Sequence, residues 1–250
     1  MNKHCTIIAH RGESFDAPEN TLAAVNLAWE RGADAVEIDI RLTKDCEIVV
    51  IHDITTRRTG NKCRWIRFNS LSAVKNIDVG SYKDPQWKNE KIPTLKEVLK
   101  TVPEGKKLII EIKSGSRILP YLQNVLAESG LENKQIELIS FRLNTLRKAK
   151  KIMPKYKMLW IRSLDYFIFN RILSFPVFLM IGLTHYYRID GLDVWAGKKI
   201  NPRFVSTCKK HNLLVYVWTV NSVKQAQKLK YLGVNGITSD KAAYIKTEIQ

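Results

Sequence analysis

The chain has 250 residues, 45% of them hydrophobic and 26% charged, which excludes a disordered polypeptide and is enough for a large buried core. Lysine and arginine number 41 against 24 acidic residues, a formal charge of +17, so anionic partners are expected: phosphorylated small molecules, acidic lipid surfaces or nucleic acid. With 12 glycines, 8 prolines and no repeat period, collagen-like, linker-rich and solenoid chains are excluded.

In chain order, the apolar run at 5–9 predicts a strand that ends on His10. Helical periodicity follows at 21–31, with Asn20 or Thr21 as its cap and Gly32 as its stop. AVEIDI at 35–40 predicts a second strand. EIVVIH at 47–52 comes after a turn of only Lys44, Asp45 and Cys46, too short for a crossover, so it predicts an antiparallel hairpin that carries His52 back toward the first strands. Residues 53–91 are loop-like and contain aromatics, and are expected as a small insertion rather than a second domain. Strands are then predicted at 108–112, 136–140, 158–161, 191–195, 214–219 and 236–238. They alternate with helices at 94–100, 119–129, 142–152, 202–210 and 223–232, with Gly233 as a stop. Eight strands alternating with helices predict one α/β domain over 1–250, a parallel TIM (β/α)8 barrel.

Two stretches stand out by composition. Residues 138–164 contain no acid but hold Arg142, Arg147, Lys148, Lys150, Lys151, Lys155, Lys157 and Arg162, expected mostly on a solvated helix face. Residues 166–183 are strongly apolar, with Pro176 interrupting a run too short to span a bilayer. Two readings stay open there: a buried barrel helix, or an apolar lip that meets an anionic membrane beside the basic stretch. Cys5, Cys46, Cys63 and Cys208 form no CxxC pair, and no cleavable run precedes the first strand. A cytoplasmic chain with reduced thiols is expected, extended to membrane association if the lip is exposed.

Period two sends Glu37, Asp39 and Arg41 to one face of an apolar strand, and Glu111 and Lys113 repeat the pattern at the end of LIIEIK. Inward charges in a barrel are expensive unless paired or bound to metal. Spacing alone leaves both readings open: ion pairs of Glu37 with Arg41 and of Glu111 with a nearby lysine, or a divalent-cation site of three carboxylates. His10 and His52 each close an apolar run beside the carboxylate strand, and a histidine pair suits acid–base chemistry near neutral pH. His4, His185 and His211 lack that context and are expected at the surface.

These residues carry a resemblance. His10-Arg11-Gly12 followed by Ala17-Pro18-Glu19-Asn20-Thr21 resembles the HRG…PENT opening of glycerophosphodiester phosphodiesterases. The likeness continues in order through ADAVEIDIRLTKD, VVIHD, IPTLKEVL, LIIEIK, Ser140-Phe141, VWTVN and GVNGITSD, nearly the whole chain. It implies a TIM barrel with Glu37, Asp39 and Glu111 as ligands of one divalent cation, Ca2+ or Mg2+. It also implies His10 and His52 as the acid/base pair, Arg11 and Lys113 on the phosphate, and Trp218 lining the glycerol pocket. The implied activity is hydrolysis of a small glycerophosphodiester to glycerol 3-phosphate and an alcohol. The alternative, suggested by 166–183, is a lysophospholipase D-like enzyme at a membrane surface. No zinc spacing, RNA-binding aromatic motif or helix-turn-helix points to a specific nucleic-acid partner, and a non-enzymatic basic barrel ranks below the enzyme. Two departures bear on the pocket: Cys46 stands where the family's turn carries glycine, and ITTRRTGN after the second histidine matches the family only in part.

Overall fold

The computed structural model describes residues 5–168, 171–174 and 176–249. The chain runs β1 (Thr6–His10), α1 (Leu22–Glu30), β2 (Ala35–Leu42), β3 (Ile48–Val50), α2 (Leu71–Lys75), α3 (Leu95–Leu99), β4 (Lys107–Ile112), α4 (Leu119–Ala127), β5 (Ile136–Ser140), α5 (Leu143–Ile152) and β6 (Lys157–Arg162). It continues through β7 (Asp165–Ile168), β8 (Arg171–Ser174), α6 (Val177–Tyr186), β9 (Gly191–Trp195), α7 (Pro202–Lys210), β10 (Leu214–Trp218), α8 (Val223–Leu232), β11 (Gly236–Ser239) and α9 (Ala242–Ile249). Eight parallel strands pair in the order β1-β2-β4-β5-β6-β9-β10-β11, and β11 returns to β1, closing a TIM barrel.

Strands covered on both faces read as continuous apolar runs, which is why all eight were visible in the sequence. On β2, Val36, Ile38 and Ile40 face the helices, and Ala35 packs inside with Ile8, Ile109, Ile139, Leu159, Ile161 and Tyr216. The same alternation turns Glu37 and Asp39 inward, where both are buried. Deeper in the barrel, Tyr216 donates to Glu137 (2.8 Å), whose other oxygen meets Lys107 (2.9 Å).

β3 pairs antiparallel with β2, Ile40 opposite Val50, as the short turn predicted, though the paired part is shorter than 47–52. Cys46 adopts φ +64 in that turn, so it occupies the left-handed conformation that glycine takes without cost. Thr21, not Asn20, caps α1 by accepting from Ala24 N–H. Residues 53–91 fold around a satellite core of Val49, Ile51, Ile66, Val74, Ile77, Val79 and Ile92.

The sequence predicts neither the β7–β8 hairpin nor α2 and α9, whereas α6 is the barrel helix that 166–183 left open as one of two readings. The β7–β8 hairpin lies in the apolar stretch 166–183, part of which falls outside the described residues. α6 is apolar nearly all round, which hid its helical period: Met180, Ile181 and Thr184 are buried while Phe178 and Leu179 are exposed. α9 buries Ala242, Ile245 and Ile249, a helical spacing that was there to be read. No helix among the described residues is long and apolar enough to cross a membrane.

Gly12 holds the turn after β1 against α1. Its φ is +82, and a Cβ there would lie 2.5 Å from the Ala24 carbonyl carbon. Gly12→Ala is expected to destabilise the protein by about 3 kcal/mol, combining left-handed strain with a backbone clash, read as a lower urea midpoint.

Candidate active site

All eight residues singled out in the sequence reach the C-terminal mouth of the barrel. Seven of them, His10, Arg11, Glu37, His52, Glu111, Lys113 and Trp218, line one cavity of about 260 Å³; Asp39 lies buried beneath Arg11 and Lys113. β1 delivers His10, β2 delivers Glu37 and Asp39, β4 delivers Glu111 one residue before its end with Lys113 just beyond, and β10 ends on Trp218.

One oxygen from each of Glu37, Asp39 and Glu111 lies within 4.8 Å of the other two, and all three residues are buried. Lys113 Nζ sits 3.1 Å from Asp39 and 2.8 Å from Glu111. Arg11 N–H donates to Glu37 (3.1 Å), its Nε lies 3.2 Å from Asp39 without hydrogen-bond alignment, and its Nη1 donates to Glu19 (2.8 Å). Asn20, lifted to φ +59, donates to Asp39 (2.9 Å) and accepts from the Asp39 N–H (3.0 Å).

Burial and then the neighbouring Asp39 and Glu111 push the Glu37 carboxyl well above its ordinary value, against Arg11 and Lys113. Burial and Asp39 likewise raise Glu111 to about 7, with Lys113 and Arg11 opposing. Burial would raise Asp39 too, yet Lys113, Arg11 and His52 hold it well below the usual carboxylate range. Three carboxylates against two cations leave the cluster short of positive charge. Oxygen donors so close, buried and under-compensated fit a hard divalent cation.

The ion-pair alternative held only in part. Glu111 does pair with Lys113, but Arg41 does not pair with Glu37; both its Nε and Nη2 donate to the carbonyl of His52 (2.8 and 2.6 Å). That clasp, with Ile51 N–H on the Asp39 carbonyl (2.9 Å), fixes the chain where it leaves β3.

Both imidazoles are anchored through Nδ1. His10 donates to Asp240 (2.6 Å) and His52 to Asp53 (2.7 Å), which leaves each Nε2 free for other chemistry; that of His10 lies 4.0 Å from Glu37. Burial would raise Asp240, but hydrogen bonds from His10, Asn221 and Ser14 outweigh it and hold the carboxyl at about 2, so it is an ionised acceptor near neutrality. Asp53 is also held low against burial, by Arg58 and His52. Arg58 spans Asp53 (2.7 Å) and Glu19 (2.6 and 2.8 Å), tying the second histidine to the loop after β1. For His52 itself, burial lowers the pKa, Asp39 pulls it back, and Arg11 and Lys113 lower it further, with a net shift downward.

The sequence reading missed Asp240, Asp53, Asn20 and Arg58 as anchors, and it missed Asp193. That residue, the acid inside GLDVW, lies in the cavity wall nearly fully buried, with Oδ1 lacking a hydrogen-bond partner among the described residues. A charge in so apolar a strand was the available signal. Phe141 meets Trp218 edge-on at 5.7 Å, and Lys113 sits 5.6 Å from the Phe141 ring, so the two aromatics form one wall.

A phosphodiesterase from Oleispira antarctica, solved in complex with the product sn-glycerol-3-phosphate, superposes with a TM-score of 0.87 at 28% identity, covering 98% of this chain and 96% of that one. A glycerophosphodiester phosphodiesterase from Thermotoga maritima gives 0.77 at 27% identity, with 98% of each chain covered. The glycerophosphodiester phosphodiesterase of Caldanaerobacter subterraneus subsp. tengcongensis is 33% identical over 238 residues, 94% of this chain and 93% of that protein. The sequence pattern of the glycerophosphoryl diester phosphodiesterase family matches residues 10–243, and the chain belongs to that family.

Proposed function

We propose that the whole chain acts as one domain that hydrolyses glycerophosphodiesters to glycerol 3-phosphate and an alcohol, with one divalent cation and His10 and His52 as the acid/base pair. The observation that carries this reading is the three-carboxylate cluster beside two histidines, each oriented by its own aspartate. The product carried by the Oleispira antarctica phosphodiesterase supports a glycerol 3-phosphate half in the same mouth.

Glu37, Asp39 and Glu111 would hold the cation, Ca2+ or Mg2+ by their oxygen donors. When bound, it polarises a phosphate oxygen and balances charge that develops in the transition state. Arg11 and Lys113 add fixed positive charge toward the phosphate, and Trp218 with Phe141 offers an apolar wall for the glycerol carbons. His52, kept neutral by its lowered pKa, takes the proton from the nucleophile: a water, giving glycerol 3-phosphate directly, or the neighbouring glycerol hydroxyl, giving a cyclic phosphate that a water then opens. His10, steadied by ionised Asp240, delivers a proton to the departing alkoxide as the P–O bond breaks. The test is product identity from glycerophosphoethanolamine. Glycerol 3-phosphate and ethanolamine are expected; glycerol and phosphoethanolamine would contradict the assignment.

A pH profile separates the two histidine roles. Because the His52 pKa lies below its ordinary 6.5, its basic form persists on the acid side, and the acid limb of kcat/KM is expected below pH 6.5. An alkaline limb there instead would make His52 the acid.

Peripheral contact with an anionic membrane rests on Phe178 and Leu179, both exposed, with Phe178 lining a groove shared with Lys199 and Arg203. Salt-sensitive co-sedimentation with anionic vesicles, weakened by Phe178→Ser, is the expected result; no sedimentation at low salt removes the contact. The glycerol 3-phosphate carried by the Oleispira antarctica phosphodiesterase favours the deacylated diester over a lysophospholipid as substrate.

A further inference from the structure

Past Lys113, the catalytic cavity adjoins a second one of about 440 Å³, and Lys113 lines both. Four arginines complete its charge: Arg41 on β2, Arg67 in the 53–91 segment, Arg117 in the turn after β4 and Arg142 just before α5. No aspartate or glutamate among the described residues lines it. Arg67, Arg117 and Arg142 are exposed and make no ion pair among the described residues. Lys113 is already paired with Asp39 and Glu111, but the four arginines, brought together from four chain segments, repel one another, and a cleft concentrates their field. An anion relieves that repulsion, and guanidinium forks match phosphate oxygens in pairs.

The apolar part of the wall narrows the ligand. Trp65 and Phe68, half-exposed with ring centroids 6.3 Å apart, offer faces to a carbon skeleton. They do not make a choline cage, because Arg67 already lies 5.6 Å from the Phe68 ring centre and no carboxylate offsets the arginines.

We propose that this groove binds the alcohol half of the diester and selects alcohols that carry a second phosphate group. The proposal rests on the phosphodiesterase reading, since it extends the substrate outward from a scissile phosphate at Lys113. Diesters with cationic head groups are poor substrates on this account, and oligomeric glycerol phosphates are good ones.

The experiment compares kcat/KM, per scissile bond, for bis(glycerophospho)glycerol, glycerophosphoglycerol and glycerophosphocholine, whose alcohols are anionic, neutral and cationic. Preference is expected in that order, spanning about tenfold or more and shrinking at about 0.5 M salt. In the Arg67→Gln/Arg117→Gln protein the ratio of first to last is expected to fall about tenfold, since both side chains are exposed and the fold does not depend on them. Glycerophosphocholine turned over as well as the anionic diester, or unchanged selectivity in the double variant, overturns the groove and leaves the phosphodiesterase reading intact. Preference for lysophosphatidylglycerol over glycerophosphoglycerol also overturns it, by giving the groove to an acyl chain. No turnover of any of these diesters overturns the phosphodiesterase reading, and the groove proposal with it.

Discussion

His10→Ala and His52→Ala are each expected to lower kcat by about a thousandfold while the protein still binds its cation. General acid or base catalysis contributes on the order of 10² to 10⁴ in rate, and each imidazole sits where nothing else can replace it. His10 is the only donor drawn from β1 toward Asp240, and His52 is fixed from both sides, through its ring by Asp53 and through its carbonyl by Arg41. Neither ring hydrogen-bonds to the carboxylate cluster among the described residues, and His10 Nε2 stands 4.0 Å from Glu37. A cation-induced rise in melting temperature should therefore survive both substitutions. The double variant is expected to be little worse than either single one, because the two act in one proton-transfer sequence. Rates near wild type in both single variants would remove the pair from the mechanism.

Asp39→Asn is expected to abolish cation-dependent turnover and also to weaken the metal-free fold. Asp39 is the centre of the cluster: it faces Lys113 at 3.1 Å and Arg11 at 3.2 Å, and it receives the Asn20 amide at 2.9 Å. Neutralising it removes one cation ligand and leaves two buried cations with less compensating charge. Breaking a buried pair costs about 3 kcal/mol, or roughly 10 °C in melting temperature for a chain of this size. Thermal unfolding with and without Ca2+ or Mg2+ reads both effects, a lower baseline and a lost ligand shift. Glu37→Gln provides the contrast. Burial and the neighbouring Asp39 and Glu111 already disfavour a charge on Glu37 without metal, so that variant is expected to lose the ligand shift with little change in the metal-free melting temperature.

That contrast shows what a sequence can carry. Glu37 and Asp39 stood out because inward charges at period two in an apolar strand must be either ion-paired or bound to metal, though spacing alone left both open. The eight strands were legible for a related reason, as runs buried on both faces. Asp240 was not legible, because its partnership with His10 spans 230 residues and exists only once β11 closes against β1. Arg41 was misplaced because strand period gives the face but not the reach of a long side chain, which bends to the His52 carbonyl. The basic groove was hidden for the opposite reason. The acid-free run at 138–164 attracts the eye, yet only Arg142 from it enters the groove; Arg41, Arg67 and Arg117 come from unremarkable neighbourhoods. α6 stayed only one of two open readings because an apolar helix without a polar face has no period to detect.

The most direct test of the account is glycerol 3-phosphate release from glycerophosphoethanolamine by protein stripped with EDTA and then titrated with Ca2+ or Mg2+. The account predicts no turnover in the stripped protein and saturable recovery with one equivalent of cation per chain, absent in Asp39→Asn. Full turnover without any divalent cation, or equal recovery in Asp39→Asn, would contradict it.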